Sequence, residues 1–356
     1  MRILKSLSIA LVLTLALAAC AQPTPEASPT DAPAEEVALD EAVAAELFIF
    51  SNSSPHVSVI DTETNQVVRT TDIPELTSWT WNDDNNYFDG QNLWLGMKNP
   101  DTNDVDVIAL NLDTLEVTAI IPIGTEDLTL YIGKAAQNGV LHVGKMASGQ
   151  VVTIDTNTFK LLDTWDVPVG EGGVVCDADI SIGPDGVERF YYPTRASDLL
   201  VSINPETGET LEMVGTPEGS TPLMLTTAPD GTVWVQEVAS NTNAVFDPVN
   251  LNLIGRFATG KSPIVASFSP DGAYGFIGHG GDTVVTVIDT TTLQEIERIF
   301  VGANPQKLAV HPSGDFLYAI VTKEASVAVI HTGFWGVTER IYLGTDPTGI
   351  FIRAES

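Results

Sequence analysis

One short phrase recurs seven times in this chain and confines it to an architecture of radial repetition. An apolar run ends in Asp, Asn or an equivalent polar residue, and a turn containing Thr or Pro follows. The copies are Val57-Ser-Val-Ile-Asp61, Val107-Ile-Ala-Leu-Asn111, Val151-Val-Thr-Ile-Asp155, Leu200-Val-Ser-Ile-Asn204, Asn243-Ala-Val-Phe-Asp247, Val285-Thr-Val-Ile-Asp289 and Val327-Ala-Val-Ile-His331. Their final residues are separated by 50, 44, 49, 43, 42 and 42 positions. A repeat of roughly 40–50 residues built only of short strands points to a β-propeller, here with seven blades.

Two further signals complete each repeat. Ahead of the phrase lies a tight-turn sequence: Asp89-Gly90, Asn138-Gly139, Asp185-Gly186, Asp230-Gly231, Asp271-Gly272 and Ser313-Gly314. Gly supplies positive φ in such hairpins, and Asp or Asn bonds the local backbone. After the phrase comes a strand often ending in Gly, as at Gly124, Gly170, Gly302 and Gly344. The unit is therefore four strands, a to d, with the phrase as strand c. There are seven phrases and six hairpins, and the missing one falls where the chain begins and ends. Leu47–Phe50 reads as a strand b without a strand a, and Gly349–Ile352 as a strand a without a strand b. The two ends are expected to share one blade. Arg69, Arg256, Arg298 and Arg340 fall eight or nine residues after a phrase, on the outermost strand d, where charge discourages edge pairing.

Residues 263–305, with Ser269-Pro-Asp-Gly272, Gly275-Phe-Ile-Gly-His279 and Val285-Thr-Val-Ile-Asp289-Thr, resemble the YVTN-type β-propeller repeat of bacterial surface and periplasmic proteins. The resemblance extends from about 46 to 354 and is loosest over 75–217. It implies seven four-stranded blades and no particular reaction, because propellers host many functions.

The N-terminus reads as a targeting segment. Arg2 and Lys5 precede an apolar run, Leu7–Ala16, and Leu17-Ala-Ala-Cys20 resembles the lipobox of bacterial lipoproteins. That resemblance implies cleavage at residue 19, lipidation of Cys20 and retention on the outer face of a membrane. Residues 20–45 then form a tether of Pro, Ala and acidic residues, which cannot bury enough apolar surface to order itself. The propeller occupies 46–356. Loss of Arg2 and Lys5 would move the formal net charge from −31 to about −33. Such a body argues against a nucleic-acid partner, and membrane contact is expected through the lipid alone. Cys176 is the only other cysteine, so no disulfide framework is available. A monomer is expected.

In this topology the b–c and d–a loops share one face and the short a–b and c–d turns share the other. The long, varied loops are where ligand contacts are expected. Lys98, Lys145, Arg195, Lys261, Lys307 and Lys323 fall on that long-loop face or at the adjacent start of strand a, and His279 falls in a b–c loop. Together they suggest a cationic rim for a small anionic ligand or an acidic partner segment. His311 and His331 occupy hairpin and phrase-end slots and read as turn residues. Cys176 reads as a small buried hydrophobe. The loop with Asp101, Asn103, Asp104 and Asp106 lacks the Gly and final Glu of an EF-hand, and Asp83, Asp84 and Asp89 read as a solvated turn. Trp79 and Trp81 read as packing residues. No Gly-x-Ser-x-Gly, His-Glu-x-x-His, phosphate-binding Gly-rich loop or Cys-x-x-Cys-His occurs. Asn204-Pro-Glu-Thr-Gly208 resembles a turn of quinone-cofactor propellers, yet Glu212 stands where their docking Trp would be.

No cofactor or metal is expected. The leading expectation is a non-catalytic binding or scaffold protein. The alternative, from the propellers it resembles, is a lactonase-like hydrolase or a quinoprotein or amine-dehydrogenase-like subunit. A hydrolase would hold its metal through channel acids, with Asp177 and Asp179 first.

Overall fold

A computed structural model describes residues 44–51, 56–75, 87–99, 101–128 and 130–354. The leader, Cys20, the tether through residue 43, Trp79, Trp81, Asp83 and Asp84 lie outside the described residues, and Ala45, expected in the tether, opens a strand. The strands form seven four-stranded antiparallel sheets, the blades of a propeller. Blade 1 joins the two ends: Pro347–Ala354 is its strand a, Ala45–Ser51 its b, His56–Asp61 its c and Gln66–Asp72 its d. Ile49 pairs with Ile350 on one side and with Ser58 on the other, so the C-terminal strand closes the ring.

The other blades follow in chain order. Blade 2 is Tyr87–Phe88, Asn92–Lys98, Asp104–Asn111 and Val117–Thr125. Blade 3 is Leu130–Ala135, Val140–Lys145, Gln150–Asp155 and Lys160–Asp166. Blade 4 is Asp179–Ile182, Glu188–Thr194, Leu199–Ile203 and Thr210–Gly215, and blade 5 is Pro222–Thr227, Val233–Glu237, Thr242–Phe246 and Leu253–Ala258. Blade 6 is Pro263–Phe268, Tyr274–His279, Val284–Asp289 and Gln294–Phe300, and blade 7 is Pro305–Val310, Phe316–Val321, Ser326–His331 and Gly336–Tyr342.

Both faces of strands b and c are buried, which is why the phrases read as nearly continuous apolar runs. Successive side chains point to opposite faces. In blade 1, Phe48 and Phe50 enter the cluster shared with blade 2, while Leu47 and Ile49 enter the cluster shared with blade 7. Each blade interface has such a cluster, and each fully buried large aliphatic is worth roughly 1.5–3 kcal/mol. Strand d carries most of the exposed residues and all four arginines predicted there, Arg256 and Arg298 exposed and Arg69 and Arg340 half-buried.

The polar residue ending each phrase has a defined job. Asp61 Oδ1 accepts the N–H groups of Glu63 (2.8 Å) and Thr64 (3.1 Å). Asn111, Asp155, Asn204 and Asp247 capture the equivalent pair, and Asp289 captures Thr292 N. His331 does the same through Nδ1, which accepts Gly333 N at 3.0 Å. The residue four positions on is left-handed in every blade: Asn65, Leu115, Phe159, Gly208, Leu251, Leu293 and Trp335 have φ between 53° and 71°. This conformation swings each side chain back onto the preceding blade. Leu115 and Leu251 are almost fully buried there, Phe159 lies 5.7 Å from Trp94, and Trp335 packs edge-on to Tyr274. In blade 4 the place is Gly208, and Trp165 of blade 3 fills the space, 2.8 Å from where a Cβ would sit.

His142 is sealed between blades 3 and 4, against Trp165 and Phe190. Its Nε2 donates to Pro205 O at 2.7 Å, and its Nδ1 has no partner. Burial in this apolar gap pushes its pKa down from 6.5 to about 4, against the opposing pull of the Pro205 and Val140 carbonyls.

Two measurements test this frame. Gly208→Leu places a side chain into Trp165 and is expected to cost roughly 2–4 kcal/mol, read from the urea midpoint. For His142 the unfolded chain binds the proton more readily than the folded one between pH 6.5 and about 4. Stability should therefore fall as pH is lowered through that window, by about 3 kcal/mol in all. His142→Phe should lose that part of the pH dependence.

Candidate functional site

In five blades the last residue of strand b is polar and lies toward the preceding blade at the long-loop end, and this position separates one notch from the others. Ser51, Lys145, Thr194, Glu237 and His279 occupy it and are all buried. Most are consumed by the fold. Glu237 is fully buried and holds Arg256 in a two-point ion pair, Nε–Oε2 at 2.7 Å and Nη2–Oε1 at 2.9 Å, while also accepting Thr242 Oγ1. Thr194 bonds Ser197 Oγ and Leu199 N. His279 is not a rim residue. It is fully buried, its Nε2 lies 2.8 Å from Thr259 Oγ1 of blade 5, and its Nδ1 lies 2.9 Å from Val284 O. Two committed ring nitrogens leave it nothing to offer a ligand, and burial lowers its pKa.

Lys145 differs. The residue is 7 % exposed, and among the described residues its ammonium has neither a hydrogen-bond nor an ion-pair partner. The head group sits beside Gly124 at the end of strand d of blade 2, with Nζ 3.9 Å from where a Cβ on Gly124 would be. That is the place where His279 meets Thr259 in blade 6, but here the preceding blade offers Ile123 and Gly124 instead of a hydroxyl. The stem is buried but the Nζ itself is not sealed from solvent, so this cation is open to an anion from outside.

The surroundings of Lys145 are fixed. Glu126, 3 % exposed, accepts Leu128 N and Ala147 N through Oε1 and Ser148 N through Oε2. Lys98 Nζ donates to the carbonyls of Asp127 (2.6 Å) and Leu128 (3.1 Å). Lys98 thus belongs to the loop scaffold. Beside the notch, toward the propeller axis, Tyr131, Met146, Cys176 and Met224 form an apolar cluster, with Val174, Leu223 and Ile264 packed on it. Burial pushes the Cys176 thiol up to about 12, so it behaves as the small hydrophobe expected.

The remaining rim cations are dispersed. Arg195, Lys261 and Lys323 are exposed, Lys323 in a single turn of 3-10 helix, Thr322–Glu324. Lys307 is buried within strand a of blade 7, not at the rim. Asp177 and Asp179 are spent on the blades. Asp177 Oδ2 accepts Leu225 N of blade 5. Asp179 accepts Thr227 N and Oγ1 of blade 5 and pairs with Lys134 of blade 3 at 2.8 Å. They staple three inner strands together. Among the described residues, no three His, Cys, Asp or Glu side chains converge on a point. The segment Asn204–Gly208 is the c–d turn of blade 4, and His311 bonds Ser313 within a hairpin, as turn residues do.

Clefts also open on the short-turn face, between blades 2 and 3, 5 and 6, and 6 and 7. No site is expected on this face from sequence, because uniform turns carry little signal of what lies between them.

No family model matches the chain, and no curated protein matches it. Solved structures share its fold. A protein of Lactobacillus plantarum superposes with a TM-score of 0.72 at 13 % identity, covering 87 % of this chain and 99 % of that one. A periplasmic gluconolactonase of Pseudomonas aeruginosa gives 0.68 at 17 %, covering 87 % and 99 %. A Bacteroides fragilis protein provisionally described as a 6-phosphogluconolactonase gives 0.67 at 14 %, covering 88 % and 98 %. At these identities the likeness concerns the fold.

The Glu237–Arg256 pair predicts a large effect of breaking it. Arg256→Met strands a carboxylate that is fully buried and should cost roughly 3–5 kcal/mol in chemical denaturation.

Proposed function

We propose that the protein recognises a small anionic ligand, of the sugar-acid or sugar-lactone class, at the notch between blades 2 and 3 on its long-loop face. The observation that carries this reading is the ammonium of Lys145, which has no partner among the described residues, lies beside Gly124 and is bordered by an apolar cluster. A compact anion bonded to it would gain a charge-assisted hydrogen bond worth roughly 1.5–3 kcal/mol. The net charge of −31 repels anions at long range, so selectivity rests on this local contact.

A second reading is lactone hydrolysis. Two of the similar folds carry lactonase descriptions over nearly their whole length, which supports this chemistry for the class of ligand. With Asp177 and Asp179 committed elsewhere, hydrolysis would be organised around Lys145 rather than around those acids. Calorimetry with inorganic phosphate, gluconate and 6-phosphogluconate tests recognition. Lys145→Met should weaken binding at least tenfold while the melting temperature of the free protein is kept. Equal affinity in the variant refutes the reading. Gluconolactone opening above the spontaneous rate, lost in Lys145→Met, would favour the hydrolase.

The protein is placed outside the cytoplasm, held to a membrane by lipid on Cys20. The leader sequence and the likeness to a periplasmic propeller support this. Cys20→Ser should abolish incorporation of labelled fatty acid and release the protein to the soluble fraction.

A further inference from the structure

We infer that the cleft between blades 2 and 3 on the short-turn face is a second binding site, one for a neutral saccharide. It has a volume of 610 Å³, within the range of small-molecule sites, roughly 300–1,000 Å³. Its walls carry Tyr87 and Phe159 together with the side-chain amides of Gln91, Asn92, Gln137, Asn138 and Asn157. The equivalent clefts between blades 5 and 6 and between blades 6 and 7 contain no Asn or Gln at all.

The fold uses some of these amides, since Asn92 Oδ1 accepts Thr118 Oγ1 at 2.9 Å and Asn138 Oδ1 accepts Val140 N at 3.0 Å, but it makes no such use of Gln91 and Gln137 among the described residues. The hairpin of blade 3 is Ala136-Gln-Asn-Gly139, where blades 5 and 6 have Ala228-Pro-Asp-Gly231 and Ser269-Pro-Asp-Gly272. All three make the same turn. Gly139 N donates to Ala136 O at 2.9 Å, and Gly231 N and Gly272 N make the matching bonds at 2.8 Å. Pro and Asp suit such a turn best, since Pro presets φ and Asp caps the local backbone. Asn138 caps the turn as Asp230 and Asp271 do, its Oδ1 accepting Val140 N at 3.0 Å, so the residue that answers to something other than the turn is Gln137, which stands in place of Pro.

Their chemistry names the ligand. A carboxamide donates and accepts at once, as vicinal hydroxyls do, and an aromatic ring packs against the C–H face of a sugar. The side-chain amides of Gln91 and Gln137 are exposed and have no protein partner among the described residues, and Asn138 accepts Val140 N while leaving its NH2 unused. Phe159 is set over Trp94 by its left-handed backbone, which fixes the aromatic wall. The lining includes no cation. Its one carboxylate, Asp89, already accepts Gln91 N, Asn92 N and Trp94 Nε1 at 2.7–2.9 Å. A charged ligand therefore finds no counter-charge, and an uncharged, hydroxyl-rich one finds complementary groups. This site is independent of the Lys145 notch, which opens on the opposite face.

The test is a panel of immobilised glycans, neutral and acidic, followed by calorimetry with maltose, cellobiose and N,N′-diacetylchitobiose. At least one neutral glycan should bind, at least fivefold more weakly in Gln91→Ala/Gln137→Ala and unchanged in Lys145→Met. Both mutated side chains are exposed, so the melting temperature of the double variant should match the parent. Absence of neutral-glycan binding, binding of acidic glycans alone, or undiminished binding by the double variant would each overturn the proposal.

Discussion

The whole ring rests on one small device, the capture of backbone N–H groups by the polar side chain that ends each strand c. That capture closes the c–d turn and obliges the fourth residue on to take a left-handed conformation. The side chain there is then laid across the gap to the preceding blade. A left-handed backbone is unfavourable for most side chains, and for Leu, Phe or Trp it persists only when burial offsets it. The offset is visible in Leu115 and Leu251, which are almost completely buried. The one blade with Gly at this point, at Gly208, receives its neighbour's Trp165 instead. Each blade is in this way keyed to the one before it by a turn, in addition to the apolar faces that any propeller shares.

At the other end of the blades a different set of contacts does the joining. Glu237, His279, Thr194 and Asp179 are polar, buried and satisfied, each linking its strand to a loop, to another strand of its own blade or to a neighbouring blade. Polar groups in such places cost free energy unless they are paired, so the satisfied ones read as structure. The same criterion isolates Lys145, which has the burial of its counterparts without their partners. A cationic rim is thereby reduced to one notch, because Lys98 holds a loop, Lys307 lies within an inner strand, and Arg195, Lys261 and Lys323 are surface charges.

The two faces then divide the chemistry. The long-loop face has the buried cation and the apolar cluster beside the axis. The short-turn face has a cleft lined by amides and aromatic rings, in one interface among several that share its shape. Repetition makes the second argument possible, since the other blades show what the turn needs for folding alone.

The sequence by itself determined the number of blades, the order of strands within them, the closure by both chain ends and the roles of His311 and His331 as turn residues. All of these follow from local patterns: apolar runs, a capping side chain, and Gly where φ must be positive. The tertiary structure decided which polar residues are spent. His279 and Lys145 occupy the same place in their blades, and only the neighbour across the gap, Thr259 in one case and Ile123 in the other, makes the first a staple and leaves the second without a partner among the described residues. Asp177 and Asp179 look like channel acids until the inner strand of blade 5 is seen to claim them. Hydrogen-bond partners roughly 20 to 50 residues away leave no trace in the local pattern, because pairing across blades depends on where two turns of the ring bring their ends together.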